Sequence, residues 1–298
     1  MKYAFFPGCS LESSAWEFDK SVRAVCRALD IELEEIPDWV CCGSSPAHAT
    51  NASLAVALPA MNLLAAREMG CSVATACASC YSRLRSANHS IRTDPEQRQR
   101  AERVTGRPYD GGVEVRHVLD LLVNDFGLDA IRGRVRQPLK GLKVACYYGC
   151  LLTRPPEIVA FEDAEHPTSM ENLLLAVGAE PVEWPFKTEC CGAGLSVTQP
   201  NVVNRLGHRL LSMARGAGAE CIAVACQMCQ MNLDLRQADA TRAHGEIPAT
   251  PVLFITQLLG LALGLSSKEL GIEALAVSAA SLLGERGIDA AAGSGWTS

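Results

Sequence analysis

Apolar positions along this chain fall into short continuous runs and longer periodic stretches, and the two kinds alternate. Tyr3–Phe6 and Leu142–Tyr148 are short apolar runs, the pattern of a buried strand. NASLAVALPAMNLLAAREMG has helical spacing, with Leu54, Leu58, Met61, Leu64 and Ala65 on one face and Pro59 inside it as an expected kink. NVVNRLGHRLLSMARGAGA repeats the spacing with Val202, Leu206, Leu210, Met213 and Ala214. SVATA and IAVA then predict a second short strand, each followed by a helix that starts at a C-x-x-C. Val115–Phe126 and Val252–Leu263 read as closing apolar helices. Alternating strand and helix predicts an α/β fold with short parallel strands.

The order of blocks occurs twice. YAFFPGC, CCG and VATACASCY in the first half are matched by VACYYGC, CCG and IAVACQMCQ in the second. Cys9 is followed by 31 residues, the pair Cys41-Cys42, 34 residues, and then Cys77 and Cys80. Cys150 is followed by 39 residues, the pair Cys190-Cys191, 34 residues, and then Cys226 and Cys229. The expected organisation is two pseudo-symmetric repeats, 1–129 and 130–265, with an extension at 266–298. The polar stretches 91–115 and 127–142 read as an insertion and a linker, and the final AAGSGWTS as a frayed tail.

Bulk composition narrows the function classes. With 298 residues, the chain can bury a substantial core. A net charge of −6 without a basic block leaves no electrostatic footprint for nucleic acid. The longest apolar run, VLFITQLLGLALGL, is too short to span a bilayer, and MKYAFFPGCS is not a secretory signal, so a soluble, cytoplasmic protein without a transmembrane segment is expected. VLFITQLLGLALGL also lacks the cationic face of a surface-lying helix and reads as a buried helix or an interface with a partner protein rather than a membrane anchor. No Gly-rich phosphate loop with a strand–helix context is present, so no nucleotide or flavin site is expected in this chain.

Fourteen cysteines in a long chain without a signal point to metal or redox chemistry ahead of disulfides. Thiolates select zinc, copper(I) or iron–sulfur clusters. Zinc takes four ligands in a closed tetrahedron. Here each half offers five cysteines in three groups, one of them an adjacent pair whose side chains the backbone points apart. A cluster several ångströms across fits that spacing better than one small ion, with structural zinc and disulfides as the alternatives.

The doubled motif resembles the cysteine-rich CCG domain, present twice as in the B-type subunit of heterodisulfide reductase, from Cys9 to about Leu265. The resemblance implies a non-cubane [4Fe-4S] cluster on Cys9, Cys41, Cys42, Cys77 and Cys80, and a second on Cys150, Cys190, Cys191, Cys226 and Cys229. It implies a disulfide or thiol substrate between the two clusters, each supplying one electron and capturing one sulfur. The partners it implies are the iron–sulfur electron-transfer subunit (C-type) and the flavin-containing subunit (A-type) of such a complex. This chain has no ferredoxin-type cysteine run of its own. Some relatives act in sulfur oxidation, so the direction is open. The competing reading is a CCG-type electron-transfer subunit of a flavin dehydrogenase or fumarate/succinate-type reductase.

Three further residues are candidates for the chemistry. His48, six after the first pair, could donate a proton to a leaving thiolate or be a plain loop histidine. Arg154, after Cys150, and Lys187, before the second pair, could bind an anionic substrate or be ordinary surface cations. Gly43 and Gly192 are expected to need a positive φ or a close approach. Cys26, Cys71, Cys146 and Cys221 read as small apolar residues, and Tyr81, Tyr147 and Tyr148 as shields or core.

Overall fold

A computed structural model describes residues 1–44 and 47–288; the final AAGSGWTS lies outside the described residues. Two four-stranded sheets form the frame, one per half. The first has the order β2-β1-β3-β4, built from β1 (Lys2–Phe5), β2 (Glu32–Glu35), β3 (Val73–Thr75) and β4 (Val115–His117). The second has the order β6-β5-β7-β8, built from β5 (Lys143–Tyr147), β6 (Glu180–Pro181), β7 (Cys221–Val224) and β8 (Val252–Phe254). Every pairing is parallel, as the alternation of strand and helix requires.

The central strands are apolar and buried because helices cover both faces. Two expectations change here. Val115–His117 and Val252–Phe254 are strands and not first turns of helices. They pair with β3 and β7, so these short apolar triplets satisfy their backbone in a sheet before the chain turns into helix. The supposed insertion and linker also contain the helices Pro95–Thr105 and Leu128–Arg134. Asp94 caps the first of these, accepting from the N–H groups of Glu96 and Gln97.

The helix Ala52–Met69 runs through Pro59. Asn51 caps it, and Gly70 ends it in the left-handed conformation. Its buried side differs from the expected one. Val56, Ala60, Leu63 and Leu64 face the core, whereas Leu54 and Met61 are exposed. Both sides of this helix are apolar, so hydropathy does not choose between them. Asn62 helps to decide: its buried amide accepts from the Val40 N–H and donates to the Val40 carbonyl, fixing the helix against the segment that leads into Cys41. In the helix Pro200–Gly216 the buried stripe also shifts, to Val203, Gly207, Leu210, Leu211 and Ala214, with Met213 exposed.

The halves pack through their helices. Phe18, on Trp16–Ala28, stacks on Phe254 at 3.9 Å, and Ser21 bonds Thr256 at 2.7 Å. The mirror contact sets Ser169–Ala176 of the second half against Leu128–Arg134, which spans the boundary between the halves. The helix Ile255–Ala262 is buried along its whole length. After it, Leu270, Leu275 and Leu283 join the core, and Asp234 accepts from the N–H groups of Ala276 and Val277. Ser267–Leu270 also packs on Trp16–Ala28 of the first half, so the extension is fastened to both halves as far as Ile288.

Candidate functional site

The cysteine-bearing loops leave the C-terminal ends of three adjacent parallel strands in each half. Cys9 follows β1, Cys41-Cys42 follow β2, and Cys77 follows β3; Cys150, Cys190-Cys191 and Cys226 follow β5, β6 and β7 in the same way. That edge is where α/β sheets gather ligands. Cys77 and Cys226 stand at the N-caps of Ala78–Thr93 and Gln227–Asp234, so Cys80 and Cys229 lie one turn into their helices. Cys42, Cys77, Cys80, Cys191, Cys226 and Cys229 are buried, Cys41 and Cys150 partly so, and Cys9 and Cys190 are exposed.

The sulfurs meet in a pattern that repeats. Cys80 lies beside Cys42 and Cys77, and Cys229 lies beside Cys191 and Cys226. Through this contact with Cys80, reinforced by the Ser44 backbone and by Arg83, Cys42 is held down at about 7 against the cost of its burial. Cys80 is pushed far up in turn, chiefly by its bonds to Cys42 and Cys77. In the second half Cys190 is lowered to about 6, first by its bond from Cys150. The Cys191 and Cys229 sulfurs are 3.6 Å apart. Two thiolates on one tetrahedral centre with bonds of about 2.3 Å lie about 3.8 Å apart, so this pair is already near the spacing of co-ligands.

Sulfur-accepting bonds also come from the backbone: the Cys80 N–H reaches Cys77 at 3.3 Å and the Gly192 N–H reaches Cys190 at 3.3 Å. Among the described residues no group of three His, Cys, Asp or Glu side chains closes on a single ion. The thiols touch in pairs and spread over three loops. The buried Nε of Arg83 has no hydrogen-bond partner among the described residues and lies near Cys42. A sulfide-bearing, anionic group seated among the thiols matches both the spread and the orphaned donor, so an iron–sulfur cluster fits the residues present.

Gly8 and Gly149, each just before the first cysteine of its half, make the close approach. A Cβ at Gly8 would stand 2.9 Å from the Cys80 sulfur, and one at Gly149 would stand 2.9 Å from that of Cys229. Both have positive φ, +71° and +67°. Gly43 and Gly192 have positive φ as expected, +79° and +78°, but their near neighbours are Leu58 and Leu206 on the following helices.

The other predicted residues are placed as follows. Arg154 Nη2 donates to both carboxylate oxygens of Glu165 at 2.9 Å, and its Nη1 donates to the Thr188 carbonyl at 3.0 Å. Lys187 pairs with Glu171 at 3.0 Å and donates to the Pro167 carbonyl. Both cations thus hold the loop that carries Cys190. His48 lies on the short helix Ala47–Thr50, its Nδ1 3.2 Å from the Gly43 carbonyl. Cys26, Cys146 and Cys221 are buried without sulfur partners among the described residues, and burial raises each thiol. Tyr147 lies among Cys229, Cys191, Cys190 and Cys150, and burial keeps it a neutral phenol; its hydroxyl donates to the Glu189 carbonyl at 2.7 Å.

A cavity of about 140 Å³ opens beside the two halves' junction, between Ser14, Ala15, Trp16 and Glu17 of the first and Gln227, Met228, Gln230 and Met231 of the second. Arg154 does not line it. Gln227 reaches further: its amide Nε2 donates to the Cys77 sulfur at 2.9 Å, from one half into the other. His117, at the end of β4, is buried and held neutral, its pKa lowered to about 4 by that burial; its Nε2 is 2.7 Å from the Ala76 carbonyl.

Two parallel sheets, each gathering five cysteines at one edge, define a protein of two cysteine-rich α/β domains. A model of the CCG cysteine-rich domain matches residues 3–85 and 144–234. The chain belongs to this family, in the branch that contains the B-type subunits of heterodisulfide reductase. It is 33% identical to the 8-methylmenaquinol:fumarate reductase membrane anchor subunit of Wolinella succinogenes, over 94% of this chain and 99% of that one. It is 32% identical to the B-type subunit of the ferredoxin/F(420)H(2)-dependent CoB-CoM heterodisulfide reductase of Methanosarcina acetivorans, over 93% and 94%. A crystal structure of a hypothetical protein from Helicobacter pylori shares the fold, with a TM-score of 0.74 at 12% identity; it covers 93% of this chain, which spans about half of that one, 52%. No helix among the described residues is long and apolar enough to cross a membrane.

Sequence reasoning missed Gly8, Gly149, Arg83, Asn232 and Gln227. The glycines carried a readable signal, since PGC and YGC stand at matching places in the repeat. Arg83 and Asn232 each lie three residues beyond the second cysteine of a C-x-x-C, one helical turn on, and so return to the thiol face. Gln227 had no such signal, because its partner is in the other half.

Proposed function

We propose that this chain is an iron–sulfur catalytic subunit resembling the B-type subunit of heterodisulfide reductase. It cleaves or forms a disulfide, or oxidises a thiol-bound sulfur substrate, at two non-cubane [4Fe-4S] clusters within a larger electron-transfer complex. The first repeat, 1–129, holds one on Cys9, Cys41, Cys42, Cys77 and Cys80. The second, 130–265, holds the other on Cys150, Cys190, Cys191, Cys226 and Cys229, and 266–298 is a C-terminal extension. The observation that carries the reading is the doubled set of thiols in contact, linked by Gln227 across the junction.

When bound, such clusters supply single electrons, and two electrons with two protons turn one disulfide into two thiols. The chain's own residues prepare that chemistry. Gly8 and Gly149 let backbone come up to the thiols. Tyr147, packed on Trp184, and Phe6, edge-on to Trp39, cover the two sites with aromatic surface. Arg154 and Lys187 hold the loop around Thr188 and are themselves already paired with carboxylates, which argues against a direct role on substrate. The electron donors are an iron–sulfur protein of the C type and a flavoprotein of the A type, in the cytoplasm.

The test is single-turnover. Protein reduced with a stoichiometric amount of dithionite, freed of excess, is mixed with a disulfide under argon. Reoxidation of the iron chromophore with release of two thiols per disulfide is expected. A chromophore that stays reduced, with no thiol released across a panel of disulfides, contradicts the reading.

One observation favours a second reading: the Wolinella relative is 33% identical over nearly the whole length. In that reading the chain passes electrons to or from a fumarate/succinate-type flavoprotein and never meets a disulfide. Val252–Leu263 would supply no membrane face in either case, being buried within the chain.

A further inference from the structure

The two candidate sites are built on one plan, yet their polar surroundings differ in charge. At matching positions, one turn past the second cysteine of each C-x-x-C, the first site has Arg83 and the second has Asn232. Arg83 is half-buried, donates to the Ala55 carbonyl at 3.1 Å, and acts electrostatically on Cys42. Its buried Nε has no hydrogen-bond partner among the described residues. Asn232 is buried and neutral; its amide donates to the Cys191 carbonyl at 3.1 Å and lies 3.7 Å from the Cys191 sulfur. Before the pair, the first site has the uncharged Val40 and the second has Glu189, whose charge acts against Cys190 ionising.

The hydrogen bonding is lopsided too. Cys77 receives the Gln227 amide at 2.9 Å, from a side chain only 4% exposed. The residue of the first repeat that corresponds to Gln227 is Ala78, which has no amide to return to Cys226. Each site thus has one side-chain amide on a thiol, Gln227 on Cys77 at 2.9 Å and Asn232 on Cys191 at a longer 3.7 Å, while the first adds a cation and the second a nearby carboxylate. Positive charge and hydrogen bonds to sulfur both favour the reduced, more negative form of an iron–sulfur group.

We infer that the two sites are electrostatically unequal, and that Arg83 and Gln227 are positioning residues that make the first site, on Cys9, Cys41, Cys42, Cys77 and Cys80, the easier to reduce. This rests on the reading that each site holds a cluster. The first electron given to the chain settles in the first repeat, and the second repeat is the lower-potential station beside it. The doubled architecture is thus a directed pair and not two equivalent halves.

The experiment is a dithionite titration of the anaerobic holoprotein, followed by electron paramagnetic resonance, after iron and sulfide have been counted. Two resolved one-electron steps are expected, separated by at least tenfold in reduction equilibrium, about 59 mV. In Cys42→Ala, which removes the first site, the surviving step should be the more negative. Gln227→Leu and Arg83→Asn should each lower the upper step and leave the lower one in place, while Arg83→Lys should keep the wild-type value. If Arg83→Asn loses iron, Gln227→Leu and the wild-type order still decide. A single unresolved step, a reversed order in Cys42→Ala, or variants that move both steps or neither would overturn the inference. Absence of iron and sulfide from the wild type would instead overturn the cluster reading itself, and the metal count reveals that before any titration.

Discussion

Gly8 and Gly149 are the most constrained small positions next to the thiols. At each, a methyl group would meet a cysteine sulfur at 2.9 Å, and the backbone is in the left-handed region. A non-glycine residue there costs about 1 kcal/mol in conformation alone, and the sulfur that would have to move belongs to a buried cysteine. Gly8→Ala should therefore reduce iron per chain by about half, by emptying the first site, and Gly149→Ala should do the same at the second. Full iron in both variants, measured after anaerobic reconstitution, would remove these glycines from the sites. The ten motif cysteines are readable in the sequence because their spacing repeats. The roles of Arg154 and Lys187 are not: their partners, Glu165, Glu171 and two carbonyls, are visible only once the loop is folded.

At the scale of elements, the strands and the helices starting at C-x-x-C are legible from apolar runs and punctuation. Which side of a helix is buried is not. Ala52–Met69 is apolar nearly all round, and the choice rests on Asn62 clamping Val40, a bond between residues 22 apart in sequence. The triplets of β4 and β8 look helical in sequence because a three-residue apolar run has no period of its own; pairing with β3 and β7 makes them strand. The helix pair between the halves gives a sharper prediction. Phe18 is 1% exposed and stacks on Phe254 at 3.9 Å with the rings 4° from parallel. Phe18→Ala should cost about 3–5 kcal/mol, as for other large-to-small core changes. Denaturant unfolding of the holoprotein checks it, and a loss below about 1 kcal/mol would mean that the junction contributes little.

Across the whole molecule, the repeat is a means of bringing two thiol sets to one junction. Gln227 of the second half bonds Cys77 of the first, the Tyr81 hydroxyl of the first donates to the Val159 carbonyl of the second, and the Arg85 guanidinium donates to the Ile158 carbonyl. Sequence makes the duplication plain, but not this interlocking, because these three hydrogen bonds are asymmetric and absent from the repeat pattern. The same asymmetry separates Arg83 from Asn232 and gives the two sites different electrostatic settings. The extension after Leu265 has no partner in the repeat and is legible only as an addition. It is held by Asp234 and by Leu270, which packs so closely on Gly260 that a methyl there would overlap it.

The central claim is that each half holds an iron–sulfur cluster on its five cysteines. Iron, acid-labile sulfide and zinc per chain, counted on protein purified without oxygen, test it most directly. About eight iron and eight sulfide per chain are predicted, one four-iron cluster per half, falling to about half in Cys42→Ala and in Cys191→Ala. Roughly two zinc per chain with no sulfide would contradict the account and make the two thiol sets structural knots.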